Sequence, residues 1–111
     1  MIFSFNSPAL AQIAPNDEGM GIATDTTDNV LVTGYFSGPT DFDPAEGTMS
    51  LTPNGEQDIF VASYSSLGDL NWAFNIGSSS ADEGLAVTTD SFDNLLVTGF
   101  ISGTADFDPG P

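Results

Sequence analysis

The 111-residue sequence contains no lysine, no arginine, no histidine and no cysteine. Sixteen Asp and Glu residues therefore stand against no basic side chain, for a formal net charge of −16. No salt bridge can form between side chains. Each carboxylate must be solvated, hydrogen-bonded to N–H or O–H groups, or neutralised by an external cation, because uncompensated self-repulsion destabilises a compact state. Nucleic acid is excluded as a partner, since phosphate binding draws on Lys and Arg, and an anionic lipid surface is excluded on the same ground. The His and Lys bases, Cys nucleophiles and Arg clamps of most enzymes are missing too, which leaves carboxylate, hydroxyl or metal chemistry. Without cysteine there are no disulfides and no thiolate metal sites, and cysteine usage says nothing about the redox compartment. No run approaches the roughly 20 apolar residues of a membrane-spanning helix, so a soluble chain is expected.

What the sequence does have is apolar material and repetition. Hydrophobic residues make up 40% of it, with nine Phe, two Tyr and one Trp, far from the composition of a disordered acidic chain. The segment DEGMGIATDTTDNVLVTGYFSGPTDFDP, from Asp17 to Pro44, returns as DEGLAVTTDSFDNLLVTGFISGTADFDP, from Asp82 to Pro109. The period is 65 residues, no gap is needed, and 17 of 28 paired positions are identical. Mismatches within the expected strands keep apolar character at five positions: Met20 pairs with Leu85, Ile22 with Val87, Val30 with Leu95, Tyr35 with Phe100 and Phe36 with Ile101. Two copies of one structural unit vary in this way at core positions.

Within a unit, Gly21 to Asp25 and Val30 to Phe36 read as two short strands joined by the hairpin loop Asp25-Thr26-Thr27-Asp28-Asn29, which returns as Asp90-Ser91-Phe92-Asp93-Asn94. Asp and Asn suit such loops because they tolerate left-handed backbone and close turns with their side chains. A third strand is expected at Ile59 to Tyr64 and a fourth at Leu70 to Ile76, about the turn from Ser65 to Asp69. In the second strand Val30, Val32 and Phe36 share one face while Leu31 and Tyr35 share the other, so both faces need cover. In the fourth, Leu70, Trp72, Phe74 and Ile76 alternate with Asn71, Ala73 and Asn75, which predicts one wet face and a core position for Trp72. The expected fold class is all-β, with antiparallel four-stranded propeller-type blades in about one and a half repeats.

The same residues resemble the bacterial β-propeller repeat of secreted and surface proteins. The matching runs are Asp17-Glu18-Gly19, Gly21 to Asp25, Val30 to Gly34, Asp58 to Tyr64 and Leu70 to Phe74, the first two recurring from Asp82. Two departures stand out: Asp28 and Asp93 where that family often has Gly, and a period of 65 against the roughly 40 to 50 residues of common blades. The excess is an excursion from Ser37 to Gln57, with a short strand expected at Thr48 to Thr52 and a turn signal at Asn54-Gly55. The resemblance implies a scaffold or binding module at the cell exterior and carries no shared catalytic motif.

Three segments follow: residues 1–16, residues 17–81 as a complete repeat, and residues 82–111 as the first half of the next. The first has two readings. Ala9-Leu10-Ala11 resembles a secretory cleavage triplet, consistent with a signal-peptide remnant. Alternatively Phe3-Ser4-Phe5-Asn6 echoes Trp72-Ala73-Phe74-Asn75 as the outer strand of a preceding blade. A sequence that stops within a repeat, at Asp108-Pro109-Gly110-Pro111, is expected to be a piece of a longer repeat protein.

The strongest candidate site is the repeated DFDP motif. Asp41 and Asp43, and again Asp106 and Asp108, each lie two apart on an extended segment and present carboxylates to one side. Such a pair suits Ca²⁺, although calcium takes six to eight oxygens, so backbone carbonyls, water or Glu46 would have to supply the rest. The competing reading is that Asp-Pro closes a turn and the intervening Phe plugs the core. Neither an EF-hand loop nor the Gly-rich calcium nonapeptide is present. The expectation is therefore a non-enzymatic structural or interaction module, secreted or at the cell surface. Its expected partners are further propeller repeats, of the same or another chain, and an extracellular protein or glycan. A calcium-stabilised repeat is the alternative; a carboxylate-dependent glycoside hydrolase, which needs two carboxylates roughly 5 to 10 Å apart across a cleft, is a distant third.

Overall fold

β-Branched and aromatic residues in short alternating runs, punctuated by Asp, Asn and Gly, build strands and nothing else. The computed structural model of the protein describes residues 17–44 and 47–105. Eight strands run along them: β1 Glu18–Thr24, β2 Val30–Phe36, β3 Thr40–Asp41, β4 Ser50–Leu51, β5 Asp58–Tyr64, β6 Leu70–Ile76, β7 Glu83–Thr89 and β8 Leu95–Phe100. β1, β2, β5 and β6 form one four-stranded antiparallel sheet in that order, β3 pairs with β4, and β7 pairs with β8. The fold is all-β, one four-stranded propeller-type blade followed by the first hairpin of another. The expected outer strand at residues 2–6 lies outside the described residues.

The two repeats fold alike down to their irregularities. Met20 bulges out of β1 and Leu85 out of β7, 65 residues apart, each as the extra residue between two glycine- or alanine-bearing pairs. Opposite each bulge the backbones close in. A Cβ on Gly34 would collide with the Glu18 carbonyl, and one on Gly99 with the Glu83 carbonyl, so only glycine fits there. Asp28 and Asp93 take the left-handed backbone the hairpin needs, at φ of 63° and 61°. Asp is one of the few residues besides Gly that take this backbone, so it can stand where the repeats this sequence resembles often have glycine.

The faces of the blade are covered by different means. β2 and β5 pair without a register shift from Val30↔Tyr64 to Phe36↔Asp58. On the first face Val32, Phe36, Phe60, Ala62, Tyr64 and Ala73 form the core with Phe42. Phe42 comes from the excursion, which folds back as a lid: its ring meets Phe36 edge-on at 5.4 Å and Phe60 at 5.1 Å, with Met49 and Leu51 packed alongside. The Tyr64 hydroxyl donates to the Phe42 carbonyl at 2.7 Å and locks the lid. The expected short strand is present as β4, but Asn54-Gly55 joins no paired strands. Instead the Asn54 N–H donates to Asp58 Oδ1.

The second face of the blade carries the next repeat. A Cβ on Gly84 would run into Thr33 Oγ1 and the Ile59 side chain, so β7 lies directly on β2 and β5. Gly21 is as close to Ala86 and Val87. The first face of the second hairpin thus packs on the second face of the first blade, burying Leu31 and Val87.

Strand β6 departs from its expected alternation. Tyr64 faces Leu70 and Ser63 faces Trp72, which leaves Asn71 as an extra, bulged residue. One inserted residue inverts every side chain beyond it. Leu70 and Ala73 therefore share the core face, and Trp72, expected in the core, is turned to the other face with 39% of its surface exposed.

Buried carboxylates tie the loops to the sheet. Asp17 accepts from the Ser37 N–H at 2.8 Å and the Thr40 hydroxyl at 3.2 Å. Asp82, its counterpart, accepts from the Ser102 N–H at 2.9 Å and from the Ser78 N–H and hydroxyl. Asp58, fully buried, accepts from the Asn54 N–H and, at 2.7 Å, from the Asn75 amide. Among the described residues no buried side-chain nitrogen or oxygen lacks a partner.

Replacing Phe42 with Ala empties the centre of the aromatic cluster, so Phe42→Ala is expected to destabilise the chain by about 3–5 kcal/mol, the usual loss for a buried Phe. Urea unfolding followed by tryptophan fluorescence measures it. A loss below about 1 kcal/mol, the scale of a surface substitution, would show that the excursion is not part of the core.

Candidate functional site

The hairpin loops are built by their own carboxylates. Asp25 Oδ1 accepts from the Thr27 N–H at 2.9 Å and the Asn29 N–H at 3.0 Å, and Oδ2 accepts from the Asn29 amide at 2.9 Å. Asp90 repeats the pattern with Phe92 and Asn94. These bonds favour the ionised carboxyl. The Asn29 side-chain amide, followed by its backbone N–H, draws the Asp25 pKa from 3.8 to about 2, and Asn94 lowers that of Asp90 in the same way.

The two loops meet. The Thr26 N–H donates to Asp93 Oδ1 at 3.0 Å, and the Thr26 hydroxyl donates to Asp93 Oδ2. The Thr89 hydroxyl donates to the Thr24 carbonyl at 3.1 Å beside them. Between the repeats a cleft of about 260 Å³ opens next to this junction, walled by Asn29, Leu31, Asn71, Trp72, Asp93 and Leu95, with Asp25, Ser63 and Thr89 also on its surface. The Asn71 amide bridges the Asn29 side chain at 3.0 Å and the Ser63 hydroxyl at 3.1 Å. Trp72 stacks on Phe74 with ring centroids 5.6 Å apart and planes 17° from parallel. Trp72 is the aromatic of the lining, beside Leu31 and Leu95, and the remaining residues offer amide, hydroxyl and carboxylate groups, an arrangement suited to a neutral or cationic polar ligand. The sequence reading missed this site because its aromatic is placed by the Asn71 bulge.

The DFDP residues are accounted for as follows. Asp41 Oδ1 accepts from the Asp43 N–H at 2.9 Å and the Met49 N–H at 2.9 Å, so one carboxylate oxygen closes the turn. Phe42 plugs the core. Asp43 and Asp41 lie close enough to the Tyr64 hydroxyl that, after burial, their charges are what raise its pKa. Asp106 and Asp108 lie outside the described residues, as does Glu46. Among the described residues no three His, Cys, Asp or Glu side chains gather as a metal site, and no helix is long and apolar enough to cross a membrane.

Architecture and repeat together define the class: propeller-type antiparallel blades in tandem. The chain is similar to an uncharacterized WD repeat-containing protein of Acanthamoeba polyphaga mimivirus, 25% identical over 103 residues, covering 80% of this chain and 7% of that protein. The chain thus spans about 7% of the length of the curated relative it matches. No family model matches the sequence, and no solved structure matches it. The relative points to a propeller-like repeat and does not establish the bacterial family.

A carboxyl depressed by its folded environment contributes stability that is present above its unfolded pKa and lost as pH falls through its folded one. For Asp25 that window runs from 3.8 down to about 2. In a carboxyl-carbon NMR titration the Asp25 midpoint is expected at about 2 in the native chain and closer to the ordinary value in Asn29→Ala. An unmoved midpoint in the variant would show that Asn29 is not the cause.

Proposed function

We propose that the chain is a non-catalytic interaction module of a β-propeller-type repeat protein at the cell exterior, and that the cleft between its repeats holds an extracellular glycan or polar protein segment. The observation that carries this is the indole of Trp72, 39% exposed, which lines the cleft together with Asn29, Asn71 and Asp93. Aromatic faces take the apolar face of a sugar ring or a flat side chain, while the polar rim fixes orientation. The chain's charge of −16 selects against anionic ligands. The carboxylates of Asp17, Asp25, Asp58, Asp82 and Asp90 are engaged as acceptors that shape backbone, which supports a scaffold role for the acids. The exterior location rests on the resemblance to secreted and surface repeats alone.

Isothermal titration with neutral soluble polysaccharides and with a cationic peptide tests the reading, alongside an assay for new reducing ends. Binding without turnover is expected, and Trp72→Ala is expected to weaken it about tenfold or more, the scale of one lost aromatic stack at about 1–3 kcal/mol. Trp72 is exposed, so the fold should persist. Release of reducing ends by the native chain would instead revive the hydrolase reading.

A calcium-stabilised repeat is the second reading, favoured by the paired carboxylates of Asp41 and Asp43 in a chain without basic side chains. Two carboxylates fall short of the six to eight oxygens calcium takes, so water and carbonyls would complete the shell. Melting temperature is then expected to rise with millimolar calcium, to fall back with chelator, and to lose the response in Asp43→Asn. An unchanged melting temperature would end this reading.

A further inference from the structure

Asn54-Gly55 has the make-up of a tight hairpin turn but joins no paired strands, lying between β4 and β5. It sits at the end of the sheet where β5 begins and β6 ends, away from the Trp72 cleft. There it straps residues 77–82, which lead from one repeat to the next, to the first blade. The Asn54 side-chain amide donates to the Gly77 carbonyl at 3.3 Å, and the Asn54 N–H donates to Asp58 Oδ1 at 3.0 Å. Gly55 lies against the Ser78 and Ser79 backbone, where a Cβ would collide with both. Two residues on, the Gln57 carbonyl accepts from the Asp82 N–H at 2.9 Å.

Asparagine is a thermolabile residue, and most so before glycine, because the next backbone nitrogen can attack its side-chain carbonyl carbon. Bulk on the following residue, a hydrogen bond from its N–H, and restraint of the amide all slow that attack. None of the three is strong here. Gly55 has no side chain, and among the described residues its N–H donates to no acceptor. Asn54 is exposed to water, and its amide is held by one bond that is longer than most of its kind. The other asparagines among the described residues, Asn29, Asn71, Asn75 and Asn94, precede Val, Trp, Ile and Leu. Each of their amides makes a bond of 3.0 Å or shorter.

We propose that Asn54 is a site of spontaneous deamidation, which turns the strap between the repeats from a tie into a repulsive contact. The Gly55 nitrogen gives up its proton to solvent and bonds to Asn54 Cγ. The Cγ–Nδ2 bond then breaks, and the amide leaves as ammonia with a proton taken from water. Water opens the resulting succinimide ring. Breaking the bond from the ring nitrogen to Cγ yields aspartate at this position; breaking its bond to the backbone carbonyl carbon yields isoaspartate. Nothing is oxidised or reduced, water is consumed, and one negative charge is added to the −16 of the chain.

Either product undoes the strap. A carboxylate has no donor for the Gly77 carbonyl, so acceptor faces acceptor. Its charge also adds to that of fully buried Asp58, which accepts from the Asn54 N–H and the Asn75 amide. Isoaspartate further adds a methylene to the backbone just before Gly55, where the Ser78 and Ser79 backbone leaves no room even for a Cβ.

Incubation of the full chain at mildly alkaline pH, native and in urea, with peptide mapping by mass spectrometry at intervals, tests this. Conversion is expected at Asn54 in the native chain at a rate no more than about tenfold below that in urea, since one hydrogen bond holds the amide. Asn29, Asn71, Asn75 and Asn94 should keep their amides in the native chain, and Asn54→Gln should stay unmodified over the same interval. Asn54→Asp, which carries the charge without the longer backbone, should speed amide hydrogen exchange at Asp82 about tenfold, as for one lost hydrogen bond. A native chain whose Asn54 keeps its amide while the chain in urea loses it overturns the proposal, because the fold then protects the pair. Unchanged exchange at Asp82 in Asn54→Asp overturns it as well, because the strap would then not depend on the amide.

Discussion

A chain with sixteen acids and no basic side chain must find all of its carboxylate partners among dipoles. Everything else in the structure is arranged around that. Backbone N–H groups in turns are the cheapest such partners, because they need acceptors in any case. The sequence therefore puts Asp where strands end. Asp25 and Asp90 close hairpins, Asp17 and Asp82 bind the serine after the second strand, Asp41 closes the lid turn, and Asp58 holds the approach to β5. A hydrogen bond to a charged group contributes roughly twice what a neutral one does, so the acids define loop geometry at the same time as they are satisfied. Asp93 and Glu83 also accept hydrogen bonds, from Thr26 and from the Gln57 amide.

That arrangement leaves the faces of the sheet to apolar packing, and the two faces are treated differently. The first is closed from within by the excursion, through Phe42, Met49 and Leu51. The second is closed from without by the next repeat, through Gly84 and Val87. The 65-residue period follows from this division, since the residues beyond an ordinary blade length are those that form the lid. Because the lid covers β2, β5 and β6 on one face but β7 covers chiefly β1 and β2 on the other, the outer strand β6 keeps Trp72 at the surface beside the loop junction. The cleft is the space left between a blade and a hairpin that does not reach its outer edge.

Periodicity carried the strand assignments well, because alternation and turn chemistry are local. β2 and β6 have the bounds expected from Val30 to Phe36 and from Leu70 to Ile76, and β5 differs only by starting at Asp58. The hairpin loops were legible from Asp and Asn alone. The face of Trp72 was not, since the alternation in Leu70-Asn71-Trp72-Ala73 reads as regular until Asn71 bulges. The turn does not announce it, since the five-residue loop from Asp25 to Asn29 joins β1 and β2 with no bulge beside it. Nor could the DFDP motif be resolved in advance: Asp41 and Phe42 serve a turn and a core plug, roles that leave the same residue pattern as a ligand pair would.

The sequence by itself determined that the chain is a tandem all-β repeat, that its acids have no internal cation, and that these residues include no His, Lys or Cys. Those properties follow from composition and from spacing along the chain, which no packing can change. Only the tertiary structure decided which face of each strand is covered and by what. That choice depends on bulges at Met20, Leu85 and Asn71, and on a lid whose anchoring Phe42 is 18 residues from its partner Phe60. A one-residue slip in a strand costs little locally but exchanges its two faces completely. The identity of the exposed surfaces, and with it the cleft, is a property of the assembled sheet.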